Sequence, residues 1–381
     1  MRRREPARAR TAIEALSFRI YCRVVDNYGD AGVCWRLARQ LVLEHGARVA
    51  LVIDAPQVLA AIVPGARAGQ RCEGVAIERW PGSARAPAEG EVVISAFGCD
   101  LPKPVRAALA APRGAGGARA TRPPLWVNLE YLSAQSWVEG CHGLASRKPD
   151  DGAVEHFFYP GFTDATGGLL RERGLLRAGA LAPGAPEASP ARRVSLFCYP
   201  QAPAGQLLEM IATGARPTTV LIPVGVAERA IAQIAGTPPP PGTAVTVGRL
   251  RIERFALLPQ PQYDRLLRGC DLNFVRGEDS WVRAIWAARP FVWQPYLQEG
   301  DAHLAKLEAF LARFEAVAGP GPGEVAPMMR AWNGGAGLET AWPAFAEALD
   351  RCAPAFARFR GALAAGTDLA TRLVEFCRVR L

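Results

Sequence analysis

The strongest constraint on the fold is a rhythm that runs twice through the chain: short, unbroken apolar runs separated by segments of helical periodicity. In the first half the runs are Phe18–Val25, Arg48–Asp54, Glu91–Phe97 and Leu125–Tyr131, and the helical candidates are Gly32–His45, Pro56–Ile62 and Lys103–Ala110. The runs lack polar alternation, which predicts strands covered on both faces, as in a parallel α/β sheet. Residues 178–192, AGALAPGAPEASPAR, break the rhythm and read as an interdomain linker. The pattern then restarts, with strands expected at Val194–Tyr199, Thr218–Val224, Leu250–Leu257, Leu272–Val275 and Phe291–Trp293. The helices expected among them are Gln206–Thr213, Ala227–Ile234, Gln262–Arg268, Ser280–Ala288 and His303–Phe314. Beyond residue 323 the sequence reads as helical to its end. The expected class is therefore α/β, two doubly wound domains in tandem, with the site in the cleft between them, beyond the carboxyl ends of the strands.

Composition narrows the function. The 381 residues, half of them hydrophobic, suffice for two sizeable cores. The net charge is +9, but the first ten residues, MRRREPARAR, carry five Arg and one Glu. The remaining charge forms no basic stripe with interleaved aromatics, so no nucleic-acid partner is expected. Only three of the 45 basic side chains are lysines, Lys103, Lys148 and Lys306, which points to compositional bias toward arginine. A modest positive charge suits an anionic substrate or an acidic protein partner. No apolar stretch approaches the roughly 18–20 residues of a membrane span, and no signal-peptide core follows the basic start. No membrane partner is expected, and residues 1–16 read as a disordered extension. Nine cysteines, an odd number without a C-x-x-C pair, suit a reduced, cytoplasmic protein. The four histidines show no metal-ligand spacing, so no metal and no resident cofactor are expected.

Two local signals carry chemistry. The first is DNYGDAGVCWRLAR, residues 26–39, where a strand turns into a helix. A nucleotide-binding loop at this place carries glycines that admit a phosphate. Here Asp26 and Asp30 stand there, and both repel one. Either they cap the helix and fix the loop, or they converge on one cation or one hydroxyl. The second signal is FVRGEDSWVRA, residues 274–284. Gly277 turns the chain and a helix begins near Ser280, so its first N–H groups can bind an anion. Arg276 can clamp a diphosphate and Ser280 can add a donor, while Glu278 and Asp279 can accept from sugar hydroxyls or fix an arginine. The competing reading is plain capping by Asp279 or Ser280, with Arg276 paired to a carboxylate. Phe197, Tyr199 and Tyr263, with Gln260, can line a base pocket or belong to the core.

These pieces, in this order, resemble the protein-arginine rhamnosyltransferases that modify bacterial elongation factor P. The matching stretches are VVDNYGDAGVCWRLARQL, LWVNLEYLSAQSWVE, GFTDATGGLLRER, LFCYP, LPQPQYDRLL, NFVRGEDSWVRAIWAARPFVW and HLAKLEAFL, from Val24 to Leu311. The resemblance implies a GT-B-type inverting glycosyltransferase, with two Rossmann-like domains facing an interdomain cleft. An acceptor domain would span residues 17–185 and a nucleotide-sugar domain 190–358, with a helix near 360–381 packing back on the first. It implies transfer of L-rhamnose from dTDP-β-L-rhamnose to one arginine of elongation factor P, which activates that factor for translation of polyproline stretches. By motif, Asp26 and Asp30 fall in the reaction centre, with Asp30 as the general base and Glu278 beside them. Asn27, Tyr28 and Gly29 form the acceptor loop. Phe197, Tyr199, Gln260 and Tyr263 align with the thymidine pocket. Arg276, Glu278, Asp279 and Ser280 align with the group that handles the diphosphate, ribose or rhamnose. One departure stands out: Gln294 occupies a position where the family is associated with histidine, while Tyr296 and Gln298 remain as donor-side contacts. Readings outside this resemblance are a transferase for another nucleotide sugar or acceptor, and a non-catalytic nucleotide-sugar-binding module.

Overall fold

The computed structural model describes residues 15–80, 85, 87–88, 91–110, 124–176, 191–319, 323–334 and 336–381. The linker expected at 178–192 and the extension expected at 1–16 fall almost wholly outside these residues.

The first lobe is built on strands β1 (Ser17–Cys22), β2 (Arg48–Ile53), β3 (Arg71–Cys72), β4 (Val75–Arg79), β5 (Glu91–Ala96), β6 (Leu125–Leu129), β7 (Ala145–Arg147) and β8 (Val154–Phe158). Their order across the sheet is β3-β4-β2-β1-β5-β6-β8-β7. The six inner strands run parallel and only the edge pairs β3·β4 and β7·β8 are antiparallel. Helices α1 (Tyr28–His45), α2 (Pro56–Ile62), α3 (Lys103–Ala110) and α4 (Trp137–Cys141) connect them. The second lobe holds β9 (Arg192–Leu196), β10 (Thr218–Pro223), β11 (Ala244–Val247), β12 (Leu250–Phe255), β13 (Leu272–Arg276) and β14 (Phe291–Gln294), in the order β11-β12-β10-β9-β13-β14. Its helices are α5 (Ala204–Thr213), α6 (Glu228–Ala235), α7 (Gln260–Arg268), α8 (Asp279–Ala287), α9 (Ala302–Ala318), α10 (Val325–Trp332) and α11 (Leu338–Ala364). The last helix, α12 (Leu369–Arg380), crosses back: Leu369, Leu373, Val374 and Cys377 join the core of the first lobe.

Both sheets are thus open and mostly parallel, with the reversal of strand order beside β1 and beside β9. Such switch points bind ligands beyond the strand ends. The central strands are buried along their length, as their unbroken apolar runs require. The edges the sequence reading passed over, β3, β4, β7, β8 and β11, are short or carry polar residues that hide the pattern. Helix α1 begins four residues earlier than its apolar period suggests, because Tyr28, Gly29 and Asp30 are already helical. It ends at Gly46, which takes φ 64° while its N–H donates to Val42 and that of Ala47 to Leu41. All nine cysteines are free, six of them buried. Among the described residues no helix is long and apolar enough to cross a membrane.

Candidate active site

The carboxyl ends of β1 and β13 face each other across the cleft, and their loops interlock. After β1 the chain turns through Asn27, at φ 42° and ψ −112°. The turn lets Asp30, in the first turn of α1, reach back: its Oδ2 accepts from the N–H groups of Val25 and Asp26, both at 2.8 Å. The foreseen capping of α1 by Asp30 is not seen, since no side chain caps that helix; the carboxylate instead ties down the loop before it. Its Oδ1 accepts from no donor among the described residues, and Asp30 lines the interdomain cavity. Burial pushes its carboxyl up to about 6, against the pull of the two backbone donors.

Asp26 looks across the cleft. Its Oδ1 accepts from Arg276 Nη1 at 3.0 Å and its Oδ2 from the Tyr199 hydroxyl at 2.6 Å. Burial raises its pKa, and these two partners oppose the rise. Arg276 also lies over two aromatic rings, 4.6 Å from the Phe197 centroid and 4.3 Å from that of Tyr199. Its buried Nε–H has no partner among the described residues. The approach is so close that a Cβ on Gly277 would collide with the Asp26 carboxylate, and Gly277 also takes φ 59°. Only glycine meets both conditions.

Two chambers meet at this contact, and Asp26 and Gly29 line both. One, of about 60 Å³, is walled by Phe197, Tyr263, Gln260, Arg276, Tyr28 and the apolar Ile62, Pro223 and Phe255. The Phe197 and Tyr263 rings stand 6.2 Å apart at 67°. Tyr263 Oη and Arg283 Nη2 are buried polar atoms without a partner among the described residues. Small-molecule sites usually span about 300–1,000 Å³, so the lobes must part before a nucleotide enters. The other chamber, of about 190 Å³, holds Asp30, Glu278, Tyr131, Trp293, Tyr296, Gln298 and Lys306. Glu278 accepts a backbone hydrogen bond from Leu132, yet burial, then the nearby Asp30 and Asp26 charges, push its carboxyl well up.

The remaining residues singled out from sequence serve the frame. Asp279 binds across the lobes: Oδ1 accepts from Arg36 of α1 at 3.1 Å, and Oδ2 from Arg283 at 3.0 Å and Gln260 at 3.1 Å. Ser280 commits its hydroxyl to the Arg276 carbonyl and accepts from the Arg276 N–H at 3.0 Å, so it offers a ligand no proton here. Tyr199 is placed on Asp26 rather than among the lining of the smaller chamber. Gln294 lines neither chamber; its Oε1 accepts from the Tyr199 N–H at 2.9 Å. Among the described residues no three His, Cys, Asp or Glu side chains are placed to hold a metal ion.

Sequence reasoning missed Arg36, Glu172 and Arg283. Arg36 is 1% exposed and binds Glu172 through Nε at 2.8 Å and Nη2 at 2.7 Å. Trp286 Nε1 donates to the Leu170 carbonyl at 2.7 Å, and within the second lobe Arg283 binds both oxygens of Asp264. The available signal was an arginine inside the apolar run GVCWRLAR, which demands a buried counter-ion.

Comparison with known proteins follows this geometry. Residues 18–378 match the family model for elongation factor P (EF-P) rhamnosyltransferase EarP. A protein-arginine rhamnosyltransferase of Pseudomonas putida is 42% identical over 382 residues, spanning 94% of this chain and 98% of that one. Its counterpart in Pseudomonas aeruginosa is 41% identical over 385 residues, with the same coverage of 94% and 98%. A solved structure of EarP, described as mediating arginine glycosylation of translation elongation factor EF-P, superposes with a TM-score of 0.58 at 30% identity, covering 96% of this chain and 99% of that chain. The kitacinnamycin glycosyltransferase shares the fold alone, with a TM-score of 0.55 at 13% identity over 97% of this chain and 100% of that one. The arrangement is that of the GT-B glycosyltransferases.

Proposed function

The chain belongs to the family of elongation factor P rhamnosyltransferases, and we propose that it moves L-rhamnose from dTDP-β-L-rhamnose to one arginine of elongation factor P with inversion at C1. The modified factor then supports translation of polyproline stretches in the cytoplasm. One observation carries the reading. Asp30 lines a chamber with one carboxylate oxygen that has no donor among the described residues, and that chamber adjoins, at Asp26, a second one lined by aromatic rings and arginines.

The chemistry follows from what the acceptor lacks. A guanidinium has a pKa above about 12 and no free lone pair. A carboxyl of pKa about 6 cannot strip its proton in advance. Asp30 and Asp26 instead hold it by charge-assisted bonds and aim one nitrogen at C1. As the N–C1 bond forms, the C1–oxygen bond to the diphosphate breaks, Asp30 takes the nitrogen's proton and dTDP leaves. Attack from the face opposite the leaving group turns the β donor into an α-linked product. Arg276 and the N-terminus of α8 offset the charge that gathers on the diphosphate. Arg276 must first leave Asp26, and that release frees Asp26 for the acceptor. The proposal calls for no metal and no resident cofactor, because those two cationic elements supply the stabilisation.

The test is direct. Incubation with elongation factor P of the same organism and dTDP-β-L-rhamnose should add one deoxyhexose to the intact mass of the factor. A folded acceptor that gains no mass overturns the proposal. Asp30→Asn should abolish transfer while dTDP still binds; a variant that loses dTDP instead moves Asp30 to the donor site.

A further inference from the structure

We infer that Tyr131 is the platform on which the acceptor guanidinium rests, and that Lys306 holds that place until the acceptor arrives. The inference rests on the proposed identity of the acceptor as an arginine side chain. Tyr131 follows β6 by two residues at the carboxyl edge of the first sheet, and its ring lines the larger chamber with Asp26, Asp30 and Glu278. Phe97 covers one face of that ring, with centroids 4.4 Å apart and planes at 13°. Phe97 takes φ 60°, a costly backbone value for an aromatic residue, while its N–H donates to the Leu129 carbonyl at 2.7 Å. The strained turn at the end of β5 thus presents a ring whose visible result is to back Tyr131.

A cation of the chain already lies over Tyr131. Lys306, from α9 of the other lobe, places Nζ 5.5 Å from the ring centroid. Its charge acts on both Glu278 and Glu130, yet among the described residues it makes no direct ion pair. It is one of only three lysines among 45 basic residues. The choice of lysine has a physical sense. An ammonium on a flexible four-carbon stem swings out to water, whereas a guanidinium is planar, weakly hydrated and stacks on an aromatic face. The guanidinium brings a positive charge to the chamber as the ammonium leaves, so its carboxylates are not left without a cation. Held at its edge by Asp30 and Asp26 and at its face by Tyr131, the guanidinium is fixed in orientation as well as position. A lysine acceptor lacks the plane that the ring reads.

The test uses the full-length enzyme, folded elongation factor P and saturating dTDP-β-L-rhamnose, with dTDP affinity measured by calorimetry. Tyr131→Phe keeps the face and should stay within about twofold of wild type in acceptor KM. Tyr131→Leu should raise acceptor KM by roughly tenfold or more, the worth of a desolvated cation–π contact, with dTDP affinity unchanged. Lys306→Met removes the competing cation from a half-exposed site and should lower acceptor KM by about two- to fivefold. An unchanged acceptor KM in Tyr131→Leu, beside a working wild type, overturns this inference alone. A wild type that transfers no deoxyhexose overturns the functional reading and this inference together. Should Tyr131→Leu fail to bind dTDP through misfolding, Lys306→Met decides, and an acceptor KM that is unchanged or raised overturns the exchange.

Discussion

Gly32→Ala should separate catalysis from stability. Gly32 lies in α1, where its backbone passes under the carboxylate of Asp279 from the other lobe. An added Cβ would stand 2.7 Å from Asp279 Oδ2, 3.1 Å from its Cγ and 3.2 Å from Gln260 Nε2, whereas ordinary contact begins at 3.4 Å. The lobes, or Asp279, must therefore give by about 0.7 Å. A misplacement of about 1 Å can cost on the order of a hundredfold in rate, so a tenfold to hundredfold fall in kcat is expected. Two effects on stability oppose each other. Alanine favours a helix interior over glycine by about 1 kcal/mol, while overpacking costs about 1–3 kcal/mol. The net loss should stay below about 2 kcal/mol, and dTDP, held chiefly by the second lobe, should bind within about threefold of wild type. Initial rates by intact mass, calorimetry with dTDP and urea unfolding measure the three quantities. A kcat within twofold of wild type would refute the claim that reaction needs the lobes this close.

Other outcomes follow from the same contacts. Asp26→Asn removes the attraction that holds Arg276, so dTDP should bind about two- to fivefold tighter while transfer is lost; weaker dTDP binding, measured by calorimetry, refutes the exchange. The rate should rise with pH through about 6 as Asp30 ionises, and this limb should vanish if another group is the base. The same group contributes most stability below its ordinary pKa of 3.8, and loses it as pH rises toward about 6, so activity and this share of stability run in opposite directions. Arg36→Met strands Glu172 and leaves Asp279 to Arg283 and Gln260, and should destabilise the fold by about 3 kcal/mol in urea unfolding. Burial alone would raise the Glu172 carboxyl, but Arg36 holds it at about 2, so in the wild type this share of stability is present at neutral pH and fades as pH falls from about 4 to about 2.

The fold was legible wherever burial on both faces left an unbroken apolar run. Helices α2 and α3 coincide with their expected spans, and most of the central strands of both sheets begin or end within two residues of theirs. The edge strands were not legible, because a two-residue β3 or a polar β7 carries no period. In the site, motif order brought Asp26, Asp30, Arg276 and Glu278 to one cleft, but side-chain pairing across the lobes leaves no trace in local spacing. Hence Arg36, Arg283 and Lys306 went unmarked, and Tyr199 and Ser280 proved to be partners of Asp26 and of the Arg276 backbone.

The aspartate pair shows why local reading could not choose between capping and chemistry. Asp30 serves the frame with one oxygen and leaves the other over: Oδ2 secures the loop through two backbone N–H groups, and Oδ1 has no donor among the described residues. The fixed oxygen sets the direction of the other, which is the preorganisation a base needs when its target loses a proton only as a bond forms. Asp26 differs because both of its oxygens are bound, and bound to the opposite lobe. In the proposed mechanism it is therefore the element that would respond when the donor side is engaged. A diphosphate that draws Arg276 away leaves a buried carboxylate in need of a cation, and the nearest cation of the right shape is the acceptor guanidinium. In the proposed mechanism the two carboxylates, four residues apart, divide the labour: one is held ready, and the other would become ready when a sugar donor draws Arg276 away.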